Sequence, residues 1–281
     1  MNYRGIAYVM GTLLVVTGVA MLAPAVVATI YGENDLAALL ISAVVSCAIG
    51  LPLRLGFSHG NVLDTRDAIA IAAFGWIIIS AVSTLPFILH GSIPSFTDAF
   101  FEMMSGYTTT GATILTDIEV VPHGLIFWRS ETHLLGGMGF LTLTIIFLPH
   151  GVAGLRIFRA ESSPGQVITR ERFTARNRDA ITYLWVIYLS LNLLQVILMC
   201  AGGMSLFDSL CHAFGTVSTS GYSPYNASIG HYDSAYFDWV IIVFMFLGGM
   251  TFMLFYHLAR GDWRALRVNT EFRWYIGFIL V

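Results

Sequence analysis

The chain has 281 residues, of which 56% are apolar and only 11% charged, with a mean hydropathy of +0.74. A soluble domain carries about 25% charged residues, so the composition excludes a soluble globular protein and points to a membrane protein. The net charge of −3 gives no basis for nucleic-acid binding, and the three cysteines, Cys47, Cys200 and Cys211, have neither paired nor zinc-type spacing.

A spanning helix needs about 20 apolar residues. In chain order the runs are Gly5–Ile30, Leu36–Leu53, Ala68–Leu89, Leu125–Leu148, Tyr183–Met204 and Trp239–Leu258, and a seventh begins at Trp274. The first is too long for the apolar core of a signal peptide. Residues 1–67 thus form an N-terminal pair of spans, 68–180 and 181–272 form two larger units, and 273–281 opens a third. All 14 basic residues are arginine, and with Arg4 in the cytoplasm all but Arg129 fall on that side. This asymmetry predicts a multi-pass protein with its N-terminus in the cytoplasm. The arginine-rich loop Gly151–Asp179 is expected against anionic lipid headgroups or a cytosolic partner.

Two outer connections contain apolar runs too short to span, Phe96–Gly106 and Leu206–Thr216. Each starts with a helix-capping serine, Ser95 or Ser205, followed three residues later by Asp98 or Asp208. Each ends in a polar, glycine-centred stretch, YTTTGATIL at Tyr107–Leu115 and VSTSGYSPY at Val217–Tyr225. The pattern predicts a re-entrant helix that gives way to irregular backbone, which is tolerated at membrane depth only where it is buried or lines a water-filled cavity.

A shift of 110 residues lays Ser95 on Ser205, Asp98 on Asp208, Thr109 on Thr219 and Gly111 on Gly221, and a shift of 112 lays GGMGF (Gly136–Phe140) on GGMTF (Gly248–Phe252). Each unit has an even number of spans, so the repeats are parallel about an axis along the membrane normal, an arrangement suited to a pore. The loops carry no charged side chain and offer carbonyl and hydroxyl oxygen, while the negative end of each short helix favours a cation. Thr109, Thr110 and Gly111, with Thr219, Ser220 and Gly221, are the candidate filter residues. The fold class expected is an all-α polytopic membrane protein, two N-terminal helices followed by parallel helix–re-entrant loop–helix repeats of potassium-channel type.

SGYTTTGAT, WRSETHLLGGMGF at Trp128–Phe140 and the second STSGYS loop resemble the Trk/Ktr/HKT superfamily of potassium transporters, and within it the bacterial Trk-type uptake subunits. The resemblance implies potassium uptake across the bacterial inner membrane, with potassium as cargo. It implies four such repeats around one pore, a homodimer of full-length chains, and a cytosolic nucleotide-binding regulatory subunit of the TrkA type. The glycine at Gly111 implies potassium over sodium preference. This chain holds two repeats and begins a third, so it is expected either to be part of a longer polypeptide, the preferred reading, or to pair with a second copy.

Several further residues bear on this reading. Arg129 is expected to brace the first re-entrant helix by pairing with Glu102 or Asp98, and Asp208 to support the second. Gly136, Gly137, Gly139, Gly248 and Gly249 read as close helix packing in preference to a hinge. Gly111→Ser is expected to weaken potassium selectivity more than Gly136→Ala. His133 and His212 read as hydrogen-bonded core positions in preference to a proton relay, and no metal site other than that for potassium is indicated. No cofactor is expected, since the chain has no nucleotide-binding glycine motif. Two rival readings remain: a symporter coupling potassium to sodium or protons, and an intramembrane hydrolase using Ser220 with His212. The second leaves the repeat unexplained.

Overall fold

In lipid every backbone polar group must be paired within its own segment, so long apolar runs become helices. A computed structural model describes residues 1–57, 65–137, 139 and 177–280. Among these residues the regular structure is helical throughout, as the all-α expectation requires. The first span is built from α1 (Tyr3–Ala20) and α2 (Leu22–Tyr31), with a joint at Met21. Pro24 has no N–H to return to the preceding turn, which accounts for the joint. α3 (Leu36–Gly56) packs back along α1 through glycines. A Cβ on Gly11 would lie 2.7 Å from the Gly50 carbonyl oxygen, and one on Gly50 2.8 Å from that of Gly11. Small residues at such a crossing let membrane helices approach closely.

The third span comprises α4 (Thr65–Ser83) and α5 (Leu85–His90), and the short helix α6 (Phe96–Tyr107) follows it. α7 (His123–Gly137) is the described part of the expected span Leu125–Leu148. α8 (Asn177–Ala201) and the short helix α9 (Leu206–Val217) repeat the arrangement, and a 3-10 turn at Ser228–Tyr232 leads into α10 (Ala235–Gly248). The chain continues through α11 (Phe252–Ala259), α12 (Arg264–Val268) and α13 (Thr270–Leu280). Among the described residues four helical stretches are long and apolar enough to cross a membrane: Tyr3–Tyr31, Leu36–Gly56, Ile69–His90 and Thr182–Ala201. Most of the arginine-rich loop, including Arg156 and Arg170, lies outside the described residues.

The expected span Trp239–Leu258 needs correction, because the helix stops at Gly248 and resumes at Phe252. The sequence Gly-Gly at the break is the weakest helix-forming pair short of proline. Packing acts at the same place. A Cβ on Gly248 would meet the Val217 carbonyl oxygen at 2.7 Å, and one on Gly136 would collide with the carbonyl of Tyr107. Tyr107 and Val217 are themselves 110 residues apart, so each repeat seats the C-terminal end of its short helix on the glycine of its own inner span. The glycines therefore serve close packing and, in the second repeat, also mark a break.

The N-terminal pair is tied to the first repeat by acids at the start of α7. Glu33 accepts from the His123 backbone N–H (2.6 Å) and contacts His123 Nδ1 at 2.8 Å, and Asp35 accepts from the Leu125 N–H at 3.1 Å. Carboxylates at a helix N-terminus satisfy its free N–H groups and complement its dipole.

Candidate functional site

Both short helices start where the capping signals place them. Ser95 Oγ accepts from the Asp98 N–H at 3.4 Å and Ser205 Oγ from the Asp208 N–H at 3.0 Å. At their other ends the chain turns back on itself in the same way twice. Thr109 (φ +52°) and Gly111 (φ +74°) are left-handed, as are Thr219 (φ +59°) and Gly221 (φ +94°), whereas Thr110 and Ser220 between them are not. A β-branched residue in this region is an outlier costing on the order of 1–3 kcal/mol. The sequence accepts that cost at two positions 110 residues apart.

The polar groups of the loops repeat at the same spacing. The N–H of Thr109 returns to Gly106 O (3.1 Å) and that of Thr110 to Ser105 O (2.9 Å); the N–H of Thr219 returns to Thr216 O (3.0 Å) and that of Ser220 to Gly215 O (2.9 Å). Thr108 Oγ1 donates to Met104 O and lies 2.8 Å from Thr110 Oγ1, and Ser218 Oγ donates to Phe214 O and lies 2.7 Å from Ser220 Oγ. The N–H groups are thus turned toward the short helices. Among the described residues, the carbonyls of Thr109, Thr110, Gly111, Thr219, Ser220 and Gly221 accept no hydrogen bond. Alternating φ sign sets successive peptide groups facing one way, which for N–H groups makes an anion nest and for carbonyls the converse. The loops also touch, since a Cβ on Gly111 would collide with the Ser220 carbonyl.

A buried ion pair braces both loops. Arg129 Nε donates to Glu102 Oε1 at 2.6 Å, with the two side chains 1% and 0% exposed. Glu102 also accepts from the Thr113 hydroxyl (2.8 Å) and the Ile114 N–H (2.9 Å), which fixes the exit of the first loop. Arg129 Nη1 donates to Ser223 O at 3.2 Å and the guanidinium lies 3.4 Å from the Tyr222 ring centroid, fixing the exit of the second. Tyr222 then reaches back, its hydroxyl 3.0 Å from both Glu102 O and Ala112 O.

Of the two carboxylates expected near Arg129, Glu102 takes the pair. Asp98 lies one turn earlier on the exposed start of α6, where its backbone completes the cap. Asp208 is buried, accepting from Ser205 Oγ (2.7 Å) and from the Tyr225 hydroxyl (3.3 Å), so it ties the start of α9 to the segment beyond the second loop. Ser220 contacts His133 Nδ1 at 2.5 Å and not His212, which removes the geometry on which the hydrolase reading relied. Gly136→Ala is not a mild change, because its methyl group would meet backbone. Tyr222, His133, Glu33 and Asp35 are the participants that sequence reasoning did not assign to the site. Among the described residues no cluster of three or more His, Cys, Asp or Glu side chains could hold a metal ion.

Beside the second loop lies a cavity of about 330 Å³, lined by Thr219, Ser220, Gly221, His212, Ile241 and Met245 among others. The 112-residue shift that aligns the glycine motifs lays Arg129 on Ile241 and His133 on Met245. The second inner span thus presents to this cavity the positions at which the first inner span holds Tyr222 and Ser220.

The chain is 34% identical to the Trk system potassium uptake protein TrkH of Escherichia coli K12 over 283 residues, covering 99% of this chain and 58% of that protein. It is 31% identical to the TrkG protein of the same organism, covering 98% of this chain and 57% of that one. The crystal structure of the potassium transporter TrkH from Vibrio parahaemolyticus superposes with a TM-score of 0.84 at 30% identity, covering 98% of this chain and 56% of that chain. The chain spans a little over half the length of these relatives. Residues 37–280 match the TrkH family, described as cation transport proteins, and the chain belongs to that family.

Proposed function

We propose that this chain supplies two walls of a potassium-selective pore for uptake across the bacterial inner membrane. In this reading the short helices α6 and α9 are re-entrant, and the potassium ion passes the backbone carbonyls of Thr109–Gly111 and Thr219–Gly221. The observation that carries the reading is the set of six carbonyls without hydrogen bonds among the described residues, on two abutting loops of the same alternating backbone. Carbonyl rings can replace the hydration shell of potassium, and neutral oxygens select by fit and field strength rather than by full charge. The cavity beside Ile241 and Met245 is the seat of a further glycine-centred loop, and four such walls close the pore. The arginine-rich face is cytoplasmic, where it meets lipid headgroups and a nucleotide-binding regulatory subunit, and the intact transporter is a homodimer.

The test is flux of potassium and sodium into proteoliposomes that contain the intact protein. Wild type favours potassium, and Gly111→Ser lowers that preference, since a side chain there must displace the Ser220 carbonyl. Equal preference in the two proteins would refute the filter assignment. Uptake that needs a sodium or proton gradient would replace the channel reading with a symporter.

A further inference from the structure

The hydroxyl of Ser220 has three polar neighbours: His133 Nδ1 at 2.5 Å, Ser218 Oγ at 2.7 Å and Gly215 O at 3.1 Å. A hydroxyl has one proton to give. Ser218 spends its own proton on Phe214 O at 2.5 Å, so the short contact between the serines holds a proton only if Ser220 donates. The contact with His133 then needs its proton from the imidazole, which makes His133 the Nδ1–H tautomer. The bonds run in one direction, from His133 to Ser220 to Ser218 to the Phe214 carbonyl. His133 is fully buried and its Nε2 has no partner among the described residues, so Ser220 is the one polar group it serves there. Its ring is stacked on Tyr222 at 3.9 Å, one turn along α7 from Arg129.

The first loop has the matching hydroxyl pair, Thr108 with Thr110, but there the chain ends at Thr110, which is exposed. In the second repeat the position of His133 is taken by Met245, which cannot donate. Among the described residues the histidine therefore serves the second loop alone.

We infer that His133 is a specificity-determining positioning residue, which fixes Ser220 by donating to its hydroxyl and so sets the ion preference of the second loop. The inference rests on the filter reading above. A side chain held from both sides cannot rotate, and the peptide group it is attached to is held with it. With the donor removed, the Ser220 hydroxyl is free to turn toward Gly215 O and the loop is free to adapt to a smaller ion.

The experiment compares potassium and sodium flux in proteoliposomes holding the intact protein, with each variant checked for a monodisperse folded state. His133→Phe keeps a ring to stack on Tyr222 but has no donor, and it is expected to lower the potassium-to-sodium ratio by about threefold to tenfold, the worth of one hydrogen bond. His133→Asn places an amide N–H where Nδ1 stood and is expected to stay within about twofold of wild type, on the same scale. Ser220→Ala removes the acceptor without touching α7; it should reproduce the loss, and His133→Phe added to it should lower the ratio no further.

An unchanged ratio in folded His133→Phe would overturn the inference, as would equal losses in the Asn and Phe variants, which would mean packing alone. If His133→Phe does not fold, Ser220→Ala decides: an unchanged ratio there also overturns it. A wild type without potassium preference would overturn the filter reading itself and this inference with it.

Discussion

Removing Arg129 is the most informative perturbation of the framework around the loops. Its guanidinium and the Glu102 carboxylate are 1% and 0% exposed and 2.6 Å apart. Arg129→Met leaves the carboxylate buried with only the Thr113 hydroxyl and the Ile114 N–H to stabilise it. Stranding one partner of a buried pair costs about 3–5 kcal/mol. At about 2 °C per kcal/mol for a chain of this size, the melting temperature in detergent falls on the order of 6–10 °C. The comparison is the surface contact of His257 with Asp262, 3.8 Å apart with side chains 47% and 52% exposed. Asp262→Asn there should change stability by less than about 1 kcal/mol. Adding Glu102→Leu to Arg129→Met removes the stranded charge and recovers part of the loss. It does not restore selectivity, because Ile114 and Thr113 lose their acceptor when Glu102 is replaced. A melting temperature for Arg129→Met within about 1 °C of wild type would refute the claim that this pair braces the loops.

Gly221 has φ +94° and open space where a Cβ would go, so Gly221→Ala should cost only the conformational penalty of about 1–2 kcal/mol, whereas Gly136→Ala, which meets the Tyr107 carbonyl, should sharply reduce the yield of folded protein in size-exclusion chromatography. Thr219→Gly relieves a left-handed threonine and is expected to leave thermal stability unchanged or raise it by up to about 1 kcal/mol while lowering the potassium-to-sodium flux ratio; a stable variant with unchanged selectivity would show that the strain has no role. Asp35 is held above its usual carboxyl pKa, first by desolvation at a site where Oδ1 has no partner among the described residues. The raised folded value means that folding favours the protonated form, so this group's contribution to stability falls as pH rises from its unfolded value of about 3.9 through the folded one. Melting curves across that range should show a pH slope in wild type that is smaller in Asp35→Asn.

The sequence shows local features of this architecture clearly and its long-range contacts poorly. Ser95 with Asp98 and Ser205 with Asp208 lie three residues apart, and a cap depends on nothing further away, so both short helices could be placed from the sequence. The 110-residue spacing is legible because the same backbone is needed twice, and it pairs Thr109 with Thr219, but the left-handed backbone of these two threonines is not readable from a β-branched residue type. The break after Gly248 was hidden by hydropathy, because Leu247, Met250 and Phe252 are as apolar as a continuous span requires. The packing of Tyr222 against Arg129 and His133 joins residues some 90 positions apart, and nothing in STSGYSPY marks the tyrosine as more than an aromatic near a loop. The same holds for Glu33 and Asp35, whose roles at the start of α7 depend on how two N-terminal spans lie against the first repeat.

The central claim is that a cation sits among the carbonyls of the two glycine-centred loops. Its most direct test is a crystal of the intact protein grown with thallium or rubidium, read by anomalous scattering. The account predicts a peak within coordination distance of carbonyls from both Thr109–Gly111 and Thr219–Gly221, and a weaker one when Ser220 is replaced by alanine. A heavy cation bound only elsewhere, with both loops ordered and empty, would contradict it.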